Sequence, residues 1–246
     1  MSALTRDEAA VARPRGDFAL FLDLDGTLIE IAPTPSSVRV PPHLPALIQS
    51  ASGALSGAVA IVSGRPFAEA AALIAPASVP LATEHGAVIR LPDGTVEEEG
   101  ARVPDEWVDA LVRAAAGRAG VLIERKSFSV AIHFRLAPEA EGALMRVAEH
   151  LVAQDGRFEL LPARMAFEIR ATGVCKGGAV RRLMRDAPFK GRVPVFIGDD
   201  VTDEDGMRAA REAGGWGVKV GGALFRAPGD VLNWLESVGK LTSTTF

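Results

Sequence analysis

Two aspartates, Asp23 and Asp25, stand two residues apart at the end of an apolar run in FLDLDGTL, residues 21–28. A second acidic cluster, GDDVTDED at residues 198–205, follows the apolar run VPVFI and holds Asp199, Asp200 and Asp203. Carboxylates gathered in one small site repel each other, so the site must hold a proton or a cation. A hard divalent ion such as magnesium prefers oxygen ligands and would neutralise the charge. The plain alternatives are an acidic turn for the first pair and a dipole-favoured acidic helix start for the second. The first alternative leaves acids at the end of a buried strand, which is costly without a purpose. The second leaves five acids in seven positions, 199–205, more than one helix dipole needs.

Two further clusters carry groups suited to an anion. In VSGR, residues 62–65, Ser63 follows an apolar run and Pro66 opens a helix, so a hydroxyl and backbone amides gather at a helix start. Ser63 serves equally well there as a simple N-cap. In GVCKGG, Lys176 opens another helix and offers a flexible point charge suited to phosphate. A surface lysine is the commoner fate of the residue type, and neither cluster decides anything alone.

The elements around these clusters alternate between strand and helix. Residues 19–24, 58–62, 79–82, 87–91, 193–197 and 216–220 read as short, mostly apolar strands. Helical patterns lie at 43–56, 66–74, 175–186, 202–213 and 228–238. Strands alternating with helices predict an α/β fold with a parallel sheet and right-handed crossovers. Ligands of such sheets gather beyond the carboxyl ends of the strands, where all four clusters fall. Between residues 103 and 171 the pattern changes to helix, strand, strand, repeated once, which predicts an inserted α/β cap with antiparallel pairings. The expected catalytic core is therefore 1–102 and 172–246, its structured part running from about 17 to 240. The first 16 residues and the closing LTSTTF read as loose ends.

Composition bounds the class. The chain has 246 residues, 48% of them hydrophobic and 24% charged, with net charge -4, which is ordinary for a globular protein and offers no basic face for nucleic acid. One cysteine, Cys175, cannot form an internal disulfide, which fits a reducing compartment. The N-terminus carries charges where a signal peptide needs an apolar core, and no uncharged run is long enough to span a bilayer. A cytoplasmic monomer acting on a small molecule, without nucleic acid or membrane, is the default expectation.

In this order and spacing, DLDGTL, VSGR, the helix-opening lysine and GDDVTDED resemble the four motifs of the haloacid dehalogenase superfamily. That resemblance implies a Rossmann-like core and a Mg2+-dependent phosphatase. It makes Asp23 the nucleophile that takes the phosphoryl group. It makes Asp25 the general acid/base, with Asp23, the Asp25 backbone carbonyl and Asp199 holding the metal. Ser63 and Lys176 would hold the phosphate, Thr27 would support the loop, and Asp200 and Asp203 would stand behind the metal site. Proximity to the other acids is expected to raise the pKa of Asp25, which suits a group that first gives and then takes a proton.

Further stretches resemble trehalose-6-phosphate phosphatases: DLDGTLIEIAPTPSSVRVPP, VSGRP, TEHGA at 83–87, ERKSFSVAIHFR at 124–135 and FEIR at 167–170. One departure is Cys175 before the lysine, where a polar residue is common. The implied substrate is trehalose 6-phosphate, with Glu124, Lys126 and Glu168 as sugar contacts. Arg65, His133 and Arg135 complete the candidate substrate residues. Strand alternation groups Ser129, Ala131, His133 and Arg135 on one face, and Ala166, Glu168 and Arg170 on another such face. Such polar faces could roof the site or could be solvated faces with ordinary salt bridges, and His133 could be structural. Rival readings are a phosphatase for sucrose phosphate or mannosyl-phosphoglycerate, a phosphomannomutase-like transferase, a non-catalytic sugar-phosphate sensor and a receiver-type signalling domain.

Overall fold

The computed structural model describes residues 3–32, 37–163 and 165–241. Part of the proline-rich stretch after the first motif (33–36) and all but the first residue of the closing LTSTTF lie outside the described residues. The chain divides into two compact units, Met1–Glu98 with Cys175–Phe246, and Glu99–Val174.

The larger unit is built on strand β1, Phe18–Leu22, whose side chains are all buried. Such a run has no polar face to give to water, as befits a parallel strand covered on both sides. The neighbours of β1 are β2 (Val59–Val62) on one side and β10 (Val193–Gly198) on the other, both parallel to it. Beyond them lie β3 (Leu81–Thr83) and β11 (Trp216–Lys219), also parallel. The chain thus winds outward from β1 in one direction and later returns to wind in the other. That reversal makes the carboxyl end of β1 the topological switch point, where such sheets bind ligands.

Two antiparallel strands, β4 (Val88–Arg90) and β5 (Val96–Glu98), complete the seven-stranded sheet. The sequence pattern does not reveal β5, whose residues Val96, Glu97 and Glu98 are largely exposed and lack an apolar face. The helices of this unit are α2 (Leu44–Ala54), α3 (Phe67–Ile74), α6 (Lys176–Leu183), α7 (Asp203–Glu212) and α8 (Pro228–Gly239). They bury Leu44, Ile48, Ile74, Leu183, Met207 and Leu235 in one core with β1 and β10.

The N-terminal segment, expected as a loose end, is not one. Arg6–Val11 forms helix α1, closed by a capping box in which the Thr5 and Glu8 side chains satisfy each other's backbone amides. Asp7 accepts hydrogen bonds from Arg211 Nε and the Gly217 amide at 2.7 and 3.2 Å, and Trp234 Nε1 donates to the Val11 carbonyl at 2.9 Å. Of the charges that argued against a signal peptide, Asp7 and Glu8 tie the helix down.

The smaller unit is a four-stranded antiparallel sheet with two helices, α4 (Asp105–Ala115) and α5 (Glu141–Val152). Its strands are β6 (Leu122–Arg125), β7 (Ser129–His133), β8 (Phe158–Ala163) and β9 (Ala166–Ala171), in the order β6-β7-β9-β8. Val130, Ile132, Phe167 and Ile169 share the face that packs on Trp107, Leu111 and Leu144 of the helices. The strand ending at His133 leaves Arg135 past its end, exposed, and not on the face that alternation assigned to it. Among the described residues no helix is long and apolar enough to cross a membrane.

Candidate active site

Asp23 directly follows β1, and its amide donates to the Ile197 carbonyl of β10 at 3.0 Å, so it sits at the switch point between two parallel strands. It is buried, 4% exposed, as are Lys176 at 3% and Asp203 at 0%. Three charged side chains this deep are tolerable only when they satisfy one another. They do so: Lys176 Nζ donates to Asp23 Oδ1 at 2.7 Å and to Asp203 Oδ1 at 2.6 Å. Burial pulls the Lys176 ammonium down, but the two facing carboxylates more than offset this and hold it above the ordinary lysine value. Lys176 is the first residue of α6 and is not the surface lysine its residue type suggests.

Asp203, the first residue of α7, turns its other oxygen to the backbone. Asp203 Oδ2 accepts the amides of Asp199 and Asp200, each at 3.0 Å. It thereby fixes the turn between β10 and α7. Asp200 is exposed and accepts the Val201 amide on its own side chain at 2.6 Å. The acids that read as one cluster therefore separate into a buried brace, Asp203, and a rim residue, Asp200.

Carboxylate oxygens of Asp23, Asp199 and Asp203 lie within 4.8 Å of one another. Asp199 Oδ1 is buried and makes no hydrogen bond among the described residues. Burial, then the charges of Asp203 and Asp200, push the Asp199 carboxyl up to about 6. Burial and the Asp203 charge likewise raise Asp23 well above the usual carboxylate range, against the pull of Lys176. An orphaned carboxylate oxygen beside a second strained carboxylate fits a hard divalent cation, which would satisfy both without a proton. Asp203 already accepts three donors and Asp23 one, so Asp23 and Asp199 are the side chains with more capacity to spare.

Asp25 stands apart from this group. Its carboxylate is gripped by Arg65, with Nε to Oδ2 at 2.6 Å and Nη2 to Oδ1 at 2.7 Å. Arg65 belongs to VSGR, the loop after β2, together with the buried Ser63. Helix α3 is capped at Pro66 without any side-chain bond, so Ser63 is not its N-cap. The Ser63 hydroxyl instead accepts the Arg65 amide at 3.2 Å, which leaves its own proton for another acceptor. The ring of His85 lies against Gly64, where an added Cβ would stand 2.8 Å from it. The buried Thr27 hydroxyl makes no hydrogen bond among the described residues.

In the smaller unit the strand register lines up Glu124, Ala131 and Glu168 in one row across β6, β7 and β9. The sequence hides this register, because the turn at 126–129 closes through the Lys126 amide on the Ser129 carbonyl, at 2.9 Å. Lys126 Nζ donates to Glu168 Oε1 at 3.0 Å, and the Ser129 hydroxyl donates to the same oxygen. His133 Nε2 meets Glu124 Oε2 at 2.8 Å, and that bond, with the Lys126 charge and against the effect of burial, holds the Glu124 carboxyl below its usual range. Ser129 is a member that residue type alone did not single out, though its parity matches His133. Arg170 pairs with Glu159 at 2.9 Å, an ordinary cross-strand salt bridge. Arg135 is exposed beyond the row.

A family model described as trehalose-phosphatase matches residues 21–223. A probable trehalose-phosphate phosphatase of Sinorhizobium fredii is 41% identical over 215 residues, spanning 87% of this chain and 81% of that protein. The trehalose-6-phosphate phosphatase of Escherichia coli is 37% identical over 237 residues, spanning 90% of this chain and 86% of that one. Among solved structures, the C-terminal domain of a C. albicans trehalose-6-phosphate phosphatase shares the fold with a TM-score of 0.78 at 22% identity, covering 96% of this chain and 95% of that one.

Proposed function

The chain belongs to the trehalose-phosphatase family, and from that membership we propose that it hydrolyses trehalose 6-phosphate to trehalose and phosphate with Asp23 as covalent nucleophile. The observation that carries this reading is the buried triad Asp23, Lys176 and Asp203 at the carboxyl end of the central strand, beside the unsatisfied Asp199. The description shared by the family model and the relatives favours trehalose 6-phosphate over sucrose phosphate or mannosyl-phosphoglycerate. An intact Asp23 and Asp25 favour turnover over a sensor.

The chemistry follows from the residues. An Asp23 oxygen bonds to phosphorus while the phosphorus–oxygen bond to the sugar breaks, and Asp25 gives its proton to the departing oxygen. A water oxygen then attacks the phosphorus, Asp25 takes a proton from it, and the bond from Asp23 to phosphorus breaks. Phosphate leaves and both aspartates are restored. Lys176 and the Ser63 hydroxyl hold the phosphoryl oxygens, where charge develops in transfer. Magnesium, held by Asp23, Asp199 and the Asp25 backbone carbonyl, would supply further neutralisation of that charge when bound. Asp203 and Asp200 keep the turn and rim of that site in place.

The smaller unit, residues 99–174, acts in this reading as the specificity cap. Glu124, Lys126 and Glu168 take the sugar hydroxyls, because carboxylates can each accept two hydroxyls and the ammonium can donate. A cytoplasmic setting is supported by the lone Cys175, which fits a reducing compartment, and a monomer is the working form.

Asp23→Asn tests the assignment. The variant should fold, bind the sugar phosphate and release no phosphate from it. Phosphate release near the parent rate would overturn the nucleophile assignment.

A further inference from the structure

We infer that Arg65 is a positioning residue for Asp25, whose guanidinium fork aims the carboxylate at the leaving sugar oxygen, and that it is not itself a sugar contact. The inference rests on the role proposed above for Asp25. Its starting point is the two-toothed contact of 2.6 and 2.7 Å between residues 40 apart in sequence. Two parallel N–H···O bonds fix the plane of a carboxylate as well as its distance, which a point charge cannot do.

The pair is asymmetric in a telling way. The Arg65 side chain is 10% exposed and the Asp25 side chain 34%. An incidental surface ion pair usually leaves the long arginine in water. Here the arginine is the rooted partner and the carboxylate is the one that reaches outward. The roots are visible: the Arg65 amide donates to Ser63 Oγ at 3.2 Å, its carbonyl accepts the Glu84 amide at 3.1 Å, and Nη1 reaches Glu69 at 3.4 Å. The loop that carries the candidate phosphate hydroxyl therefore also sets the direction of the candidate proton donor.

Cation assignment supports the same conclusion. Asp23 and Asp25 are two residues apart, yet Lys176 grips the first and Arg65 the second. Separate cations keep the two carboxylates from sharing one role. A carboxyl that carries a proton on one oxygen still accepts an N–H on the other. The fork is thus down to one bond while Asp25 carries its proton, closes to two as the proton moves to the sugar oxygen, and opens again when Asp25 takes a proton from water.

The test exploits the leaving group. A sugar alkoxide needs a proton as it departs, whereas p-nitrophenolate does not. Attack of water on the phosphorylated Asp23 needs Asp25 for both esters. Single-turnover release of trehalose from trehalose 6-phosphate and of p-nitrophenolate from p-nitrophenyl phosphate, which reads the first step alone, should therefore be compared in the magnesium-loaded parent, Asp25→Asn, Arg65→Ala and the double variant. Arg65→Ala should lower the saturating single-turnover rate on the sugar ester by about 30-fold or more, within the range of general acid catalysis. Half-saturation should stay within about twofold, and the aryl ester should lose no more than about threefold. Added to Asp25→Asn, it should cost less than about threefold more, because a residue acting through Asp25 has nothing left to aim. Arg65→Lys should not restore the sugar rate, since an ammonium has no fork.

A raised half-saturation at an unchanged saturating single-turnover rate would make Arg65 a sugar contact and overturn the inference. Equal losses on both esters, in Arg65→Ala and in the stem-keeping Arg65→Gln, would make it purely structural and do the same. So would losses that multiply with those of Asp25→Asn. If Asp25→Asn itself fails to distinguish the esters, the role of Asp25 falls first, and the two failures are told apart by that control.

Discussion

Gly26 and Asp199 meet with no room for a side chain between them: a Cβ on Gly26 would lie 2.1 Å from Asp199 Oδ2. Gly26 also holds a φ of +86, a conformation L side chains rarely adopt, while its amide closes the turn on the Ile29 carbonyl at 2.7 Å. The turn after Asp25 is therefore shaped to admit a carboxylate from the far end of the sequence.

Gly26→Ala should strain the backbone by about 1 kcal/mol or more and push Asp199 aside. A displacement of about 1 Å at a reacting centre can cost about 100-fold, so kcat/KM should fall by that order while the protein stays folded. Circular dichroism and initial rates check this. Parent-like turnover in Gly26→Ala would mean that the close approach to Asp199 has no catalytic value.

Asp203→Asn should harm both stability and metal binding. Asp203 accepts Lys176 on one oxygen and two backbone amides on the other. Asparagine offers a single oxygen and turns donors toward one of those partners. Breaking a buried pair of this kind costs about 3–5 kcal/mol. For a chain of this size that is a fall in Tm of roughly 10 °C. Because Asp203 also orients the amide of Asp199, magnesium affinity should drop by about 10- to 100-fold. Melting curves and calorimetric titration separate the effects, and a lower Tm with unchanged affinity would reduce Asp203 to scaffold.

Metal binding should compete with protons. The Asp199 carboxyl is pushed up from its ordinary 3.8 to about 6. Its proton therefore stabilises the metal-free fold fully below the ordinary value, and that contribution is lost as pH rises through about 6. A divalent ion takes over where the proton leaves. Magnesium at about 100 times its Kd adds roughly 2.7 kcal/mol near neutral pH, and about half of that one pH unit below the Asp199 value, where a proton occupies most of the sites. Melting with and without magnesium across this range checks it. An upshift that does not change with pH, or that survives in Asp199→Asn, would remove Asp199 from the ligand set.

The sequence made the core legible because its strands are short, apolar and followed by chemistry. VPVFI and the run ending in FLDLD had to be buried, and buried acids need partners. It did not show which acid takes which partner. Asp23 and Asp25 look equivalent as residues in a row, yet one meets Lys176 and the other Arg65, because strand β1 ends at Leu22 and its alternation no longer governs them. The five acids of GDDVTDED look alike too, and only the fold separates the buried Asp203 from the exposed Asp200. Strand β5 and helix α1 were hidden because they are held by hydrogen bonds and ion pairs, not by an apolar stripe. In the smaller unit alternation found the faces, but the turn at 126–129 concealed the register.

That register leads to the last prediction. Glu168 is 8% exposed and receives both Lys126 Nζ and the Ser129 hydroxyl on its Oε1. In the proposed reading this carboxylate also accepts a sugar hydroxyl. Glu168→Ala would remove the acceptor and release Lys126 from its place. On trehalose 6-phosphate, kcat/KM should fall by about 10- to 200-fold, the span of one lost specificity contact. On p-nitrophenyl phosphate, which has no sugar, the loss should be under about threefold. Glu168→Gln keeps the shape and one acceptor, so it should fall between the two. Matching losses on both esters would show that Glu168 serves the fold of the smaller unit and does not read the sugar.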